Sequence, residues 1–203
     1  MKKITLLALI LSLGLLSSFV PLGEGYKVGD KVQDFNLRNV DGTRVSLAGQ
    51  KEAKGFIVIF TCNHCPFSVA YEDRIIALHQ KYAPQGYPVI AINPNDAGTV
   101  PEDDFESMME RAREKKFPFA YLHDESQDVA RAFGAARTPH VFVIQKDKGD
   151  MLVKYIGAID DNTDDPSAAT RKYVENAMEE LIKGELVSLS FTKAIGCTIK
   201  WKK

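Results

Sequence analysis

Residues 56–60, FIVIF, form an unbroken apolar run that leads directly into TCNHC and a proline. A half-solvated strand would alternate apolar and polar residues. A continuous run rich in β-branched and aromatic side chains instead reads as a strand covered on both faces. Pro66 then suits the first turn of a helix, where its missing N–H has no partner to lose. The chain therefore needs helices on both sides of a sheet, with Cys62 and Cys65 at the junction of a buried strand and the helix that follows.

The rest of the pattern fits that demand. Residues 32–37 and 43–47 read as a hairpin around Asp41-Gly42. The helix opened by Pro66 takes Val69, Ile76 and Leu78 to Tyr82 as its apolar positions and ends before Gly86. Val89 to Ile92 is a second buried strand. Residues 101–116 read as an amphipathic helix, with Phe105, Met108, Met109 and Ala112 on one face, acids early and bases late. Ser126 is expected to cap a short helix that stops at Gly134. Strands follow at 141–144 and 151–156, and Asp165-Pro166 is expected to open a last helix containing Val174, Ala177, Met178 and Leu181. The predicted order is β-α-β-α-(α)-β-β-α after the hairpin. That is an α/β fold with a mixed sheet flanked by helices.

Charge and composition exclude some functions. The 203 residues carry 26 basic and 27 acidic side chains, so no electrostatic case for nucleic acid exists. Three cysteines are too few for a disulfide-stapled scaffold. Lys2 and Lys3 precede an apolar or small stretch from Ile4 to Val20, the layout of a secretory signal. The expected division is a signal over 1–25, cleaved between about Ser18 and Gly25, a domain over 26–184 and a tail over 185–203. An uncleaved anchor is the alternative, and both place the domain in a periplasm or equivalent extracytoplasmic space. Asp160 to Asp165 lacks a calcium-loop pattern and is expected to be an exposed loop and helix cap.

The cysteine pair admits a structural disulfide, half of a metal site or a redox couple. A four-residue loop gains little by being closed. A metal needs further ligands, and Cys197, His123 and His140 show no ligand spacing, so no metal is expected. His140 reads as a structural histidine. A helix N-terminus offers free N–H groups and partial positive charge, which lower a thiol's pKa. His64, between the cysteines, would favour the thiolate further. A redox couple is the expected reading.

Residues 28–183 resemble the thioredoxin-like superfamily, through VGDKVQDFNLRNVDGTRVSL, FTCNHCPF, AINPNDA and DESQDVARAFGAARTPHVFVI. They are most similar to its peroxiredoxin-like branch, grouped with alkyl hydroperoxide reductase and thiol-specific antioxidant proteins, and to TlpA-like exported thioredoxins. The closing IGCTIKWKK also resembles a tail of that branch. The resemblance implies a thioredoxin-like fold with an N-terminal hairpin extension. It makes Cys62 the nucleophile, Cys65 the resolving thiol and Pro139 a cis-proline, with the backbone of Thr138 pairing to a bound partner. Arg137 is expected near the cysteines, tuning the thiolate, and Cys197 is a possible extra thiol.

Thr61, Asn63-His64 and Phe56 stand where typical thioredoxins carry tryptophan, Gly-Pro and a buried aspartate. A histidine before the second cysteine is similar to oxidising periplasmic members. The implied activity is thiol–disulfide exchange without a cofactor, with protein thiols or disulfides and a membrane or periplasmic redox partner. The alternatives are a thiol peroxidase acting on hydroperoxides, for which neither cysteine has a hydroxyl residue three positions earlier, and a non-catalytic metal or haem-protein maturation factor.

Overall fold

The computed structural model describes residues 25–203, so the expected signal and its alternative as an anchor lie outside the described residues. The hairpin comprises β1 (Asn36–Asn39) and β2 (Arg44–Ser46). Then come β3 (Gly55–Phe60), α1 (Pro66–Tyr82), β4 (Val89–Asn93), α2 (Phe105–Lys115), β5 (Ala120–His123) and α3 (Asp128–Phe133). The chain continues through β6 (Arg137–Thr138), β7 (His140–Asp147), β8 (Asp150–Gly157), α4 (Tyr173–Ile182) and β9 (Cys197–Thr198).

Seven strands form one mixed sheet in the order β2-β1-β5-β4-β3-β7-β8. The central strand β3 runs parallel to β4 and antiparallel to β7. Its apolar run is explained by its position. Ile57 and Ile59 pack with side chains of α1, α2 and α4, while Phe56, Val58 and Phe60 pack with α3 on the other face. The expected α/β class, mixed sheet, helical flanks and hairpin are all present.

Several local expectations are corrected. Strand β5 was not expected; Ala120 to His123 is short, and it pairs with β4 and β1. The helix expected over 101–116 divides into a 3-10 turn at Pro101–Asp103 and α2. Asp104 caps α2, its carboxylate accepting the Ser107 N–H at 2.7 Å, and Met109 is exposed. Ser126 does accept the Asp128 N–H at 3.3 Å, but the N-cap of α3 is Gln127, in a left-handed conformation.

The last helix begins at Tyr173; Asp165-Pro166 opens only a 3-10 turn. In α1 Val69 is exposed, and the buried stripe is Ser68, Tyr71, Glu72, Ile75, Leu78 and Tyr82. Asp160 is also buried, accepting from Tyr71 at 2.8 Å and from Arg74 at 2.7 and 2.9 Å.

Phe133 of α3 joins the face opposite α1. Its ring makes edge contacts with Tyr26, Phe35, Phe60 and Phe142. Truncation would remove the shared partner of four aromatic rings and leave a cavity. Phe133→Ala is expected to lower the unfolding free energy by about 3–5 kcal/mol in urea titrations.

Candidate active site

Strand β3 ends at Phe60, and Thr61 still donates its N–H to the Ile92 carbonyl at 2.9 Å. The chain then turns through Cys62, Asn63 and His64 to Cys65, which caps α1, with Pro66 at the first helical position. Where the resemblance would have Gly-Pro, Asn63 and His64 fix the turn through side-chain bonds. Asn63 donates its backbone N–H to Asp103 at 2.7 Å and its amide to the Glu102 carbonyl at 2.8 Å, and accepts from the Tyr121 hydroxyl at 2.9 Å. His64 Nδ1 lies 2.5 Å from Asp103 Oδ2.

Asp103 is therefore the organiser of the turn, and the sequence reading missed it as one of the acids opening a helix. It is fully buried. Each carboxylate oxygen takes two donors: Asn63 N–H and Asn93 Nδ2 on one, His64 and Asn95 Nδ2 on the other. Its carboxylate accepting capacity is thereby filled. Cys62, His64 and Asp103 bring one ligand atom each within 4.8 Å of one another, a thiol–imidazole–carboxylate set suited to zinc. That set differs from the candidates the sequence offered, and a metal would have to displace donors that already satisfy Asp103.

The peptide between Thr138 and Pro139 is cis, as the resemblance implied. Thr138 meets both cysteines. Its hydroxyl lies 3.2 Å from Cys62 Sγ and its carbonyl oxygen 3.2 Å from Cys65 Sγ. Ser68 Oγ stands 3.8 Å from Cys62 Sγ. Cys62 is a free thiol, only 3% exposed.

The disulfide in the structure joins Cys65 to Cys197, with Cα atoms 6.1 Å apart and 132 residues of separation. The anticipated couple was Cys62 with Cys65, so Cys197 has a defined place that composition could not reveal. The tail carries it there as β9, antiparallel to β6, with Cys197 opposite Thr138 and Thr198 opposite Arg137. The edge that the resemblance assigns to a partner's backbone is thus occupied by this chain's own tail.

Arg137, expected to tune the thiolate, donates to the Gly196 carbonyl at 2.7 Å and so clamps the tail. Beyond β9, Ile199 is buried, Lys200 donates its N–H to Asn95 at 2.9 Å, and Trp201 lies 4.4 Å from the Arg131 guanidinium. Asn95 thus holds Asp103 with its amide and the tail with its carbonyl oxygen.

The electrostatics correct another expectation. Burial pushes the Cys62 thiol's pKa up, and the Asp103 charge adds to that effect. Hydrogen bonds from Thr138, the Cys65 N–H and Ser68 oppose the rise without cancelling it. His64, expected to favour the thiolate, has its Nδ1 turned to the Asp103 carboxylate. His140 is the structural histidine expected: burial lowers its pKa to about 4, and its Nδ1 faces the Ala136 N–H at 3.4 Å.

The Redoxin family model matches residues 27–172. An uncharacterized conserved protein from Geobacillus kaustophilus is 36% identical with a TM-score of 0.80, over 87% of this chain and 93% of that one. A hypothetical protein from Sinorhizobium meliloti 1021 is 33% identical with a TM-score of 0.80, over 88% and 97%. Peroxidoxin BcpB from Mycobacterium tuberculosis shares the fold at 18% identity and a TM-score of 0.57, over 77% and 94%. No curated protein matches.

Because the Cys62 pKa is raised, its thiolate fraction grows with pH beyond the ordinary thiol range. Iodoacetamide alkylation of Cys62 in the oxidised protein should keep accelerating above pH 9, without levelling there. Asp103→Asn removes a repelling charge and should move the profile to lower pH, as read by mass spectrometry of the Cys62 peptide.

Proposed function

The chain belongs to the Redoxin family, with a thioredoxin-like fold, and from that premise we propose that it is a thiol–disulfide oxidoreductase whose nucleophile is Cys62. The observation that carries the reading is the meeting of three features at one point. A free thiol ends the central strand, a second cysteine caps the next helix, and Thr138, before a cis-proline, touches both sulfurs.

The chemistry needs only these groups. Ionised Cys62 attacks a partner disulfide and releases one partner sulfur as thiolate, giving a mixed disulfide. Cys65, as a reduced thiol, then attacks Cys62 and releases the second partner sulfur. The partner gains two electrons and Cys62–Cys65 is oxidised; the reverse sequence oxidises a partner. The Cys65 N–H and the Thr138 hydroxyl stabilise the Cys62 thiolate in either direction. A protein partner that pairs with Thr138 must compete with β9 for that edge, whereas a small disulfide need not.

Natural partners on this reading are thiols and disulfides outside the cytoplasm, since Lys2-Lys3 and the apolar stretch to Val20 would direct export. Fusing residues 1–25 to a reporter active only after export tests that placement; a reporter retained inside the cell would contradict it.

Thiol peroxidase activity is the second reading. The specific support is the Thr138 hydroxyl at 3.2 Å from Cys62 Sγ, supplied from 76 residues further along the chain and not from the residues before the cysteine. Reduced protein mixed with hydrogen peroxide in stopped flow would favour this reading if Cys62 were consumed rapidly and without saturation.

For exchange, Cys62→Ser should slow reaction of the reduced protein with oxidised glutathione by about 100-fold or more, read by glutathione release. An unchanged rate would remove Cys62 from the chemistry and overturn the proposed function.

A further inference from the structure

Three sulfurs converge here, yet only one disulfide can exist at a time. Cys65 is the member shared between two possible partners. It lies three residues from Cys62 and is bonded to Cys197. We propose that Cys197 is the terminal resolving thiol of a relay, which moves the oxidised bond from Cys62–Cys65 to Cys65–Cys197. The relay rests on the reading of Cys62 as nucleophile and extends it.

The tail is built for this delivery. A side chain at Gly196 would put its Cβ 2.1 Å from the Thr138 carbonyl oxygen and 2.7 Å from its carbonyl carbon, so only glycine lets the tail backbone lie against Thr138. Arg137 holds the Gly196 carbonyl, and β9 pairs Cys197 with Thr138. Downstream, Ile199 N–H donates to the Ala136 carbonyl at 3.3 Å, Lys202 N–H donates to Gln127 at 2.8 Å, and Gln127 donates to the Lys200 carbonyl at 2.8 Å. Cys197 is therefore held on both sides in sequence, close to Cys65. Closing a loop across 132 residues also stabilises the fold more than closing a four-residue one would.

Exposure gives the relay its direction. Cys62 is 3% exposed and Cys65 fully buried, whereas Cys197 is partly exposed. Moving the disulfide to Cys197 carries it from two buried cysteines to a pair with one half-buried member, the more open side for an external reductant. The steps balance. Exchange with oxidised glutathione forms Cys62–Cys65 and releases two glutathione thiols. The Cys197 thiolate then attacks Cys65 Sγ, the Cys62–Cys65 bond breaks, and Cys62 leaves as thiolate and takes a proton. An external dithiol reduces Cys65–Cys197 by attacking Cys197, and its second thiol resolves the mixed disulfide.

The test starts from fully reduced full-length protein mixed with one equivalent of oxidised glutathione. Samples are acid-quenched over time, alkylated after unfolding and mapped by mass spectrometry. In the wild type, Cys62–Cys65 should rise first and convert to Cys65–Cys197, with Cys62 alkylated at the end. Cys197→Ser should stop at Cys62–Cys65. Gly196→Ala, which keeps all three thiols, should slow the conversion by about tenfold or more. Cys62→Ser should form Cys65–Cys197 at least about tenfold more slowly than wild type.

Formation of Cys65–Cys197 in Cys62→Ser at the wild-type rate would overturn the relay and make that bond a structural staple. So would a wild-type end state of Cys62–Cys65 with Cys197 alkylated; both results leave Cys62–Cys65 exchange to be judged on its own rate. Failure of Cys62 to enter any disulfide in the wild type would remove the proposed function, and the relay with it.

Discussion

Thr138 is the residue on which the site depends. Its hydroxyl touches Cys62 and its carbonyl touches Cys65, while the same residue pairs with Cys197 through β9. The sheet fixes each of these approaches. Antiparallel pairing sets Phe60, which leads into the cysteine turn, against His140, which follows the Thr138-Pro139 step. Two layers of apolar contact, one on each face of β3, hold that register. The positions of the sulfurs are therefore a consequence of packing across the central strands more than of the cysteine turn itself.

The polar support is equally specific. A buried carboxylate with no donors would be costly. Asp103 avoids that cost by accepting from the cysteine turn and from Asn93 and Asn95, and Asn95 in turn receives the tail. The same arrangement has an electrostatic result. A satisfied negative charge beside a buried thiol disfavours its ionisation, so Cys62 sits as a shielded thiol. Its hydrogen bonds from Thr138 and the Cys65 N–H work the other way and favour the thiolate.

Much of this was legible in the sequence, for definite reasons. The continuous apolar run of β3, Pro66 at the first turn of α1 and the Thr-Pro before a strand are local signals with a physical cause, and each marks a feature that is present. What escaped depends on distant partners. The buried stripe of α1 includes Ser68 and Glu72; the latter is acceptable inside because Arg111 pairs with it at 2.6 and 2.8 Å. Polar residues on a core face hide the face from a hydrophobicity count. Asp103 looked like one helix-starting acid among several. β5 is short, and β9 has two residues whose pairing partner lies far away in sequence. Cys197 could be counted, but only the tail's path assigns it a neighbour.

The most direct measurement is the ¹³Cβ chemical shift of the three cysteines in the oxidised protein, which separates thiol from disulfide residue by residue. Shifts of disulfide type at Cys65 and Cys197, with Cys62 at its thiol position, are predicted. Disulfide shifts at Cys62 and Cys65, with Cys197 a thiol, would contradict the account of three sulfurs gathered around Thr138.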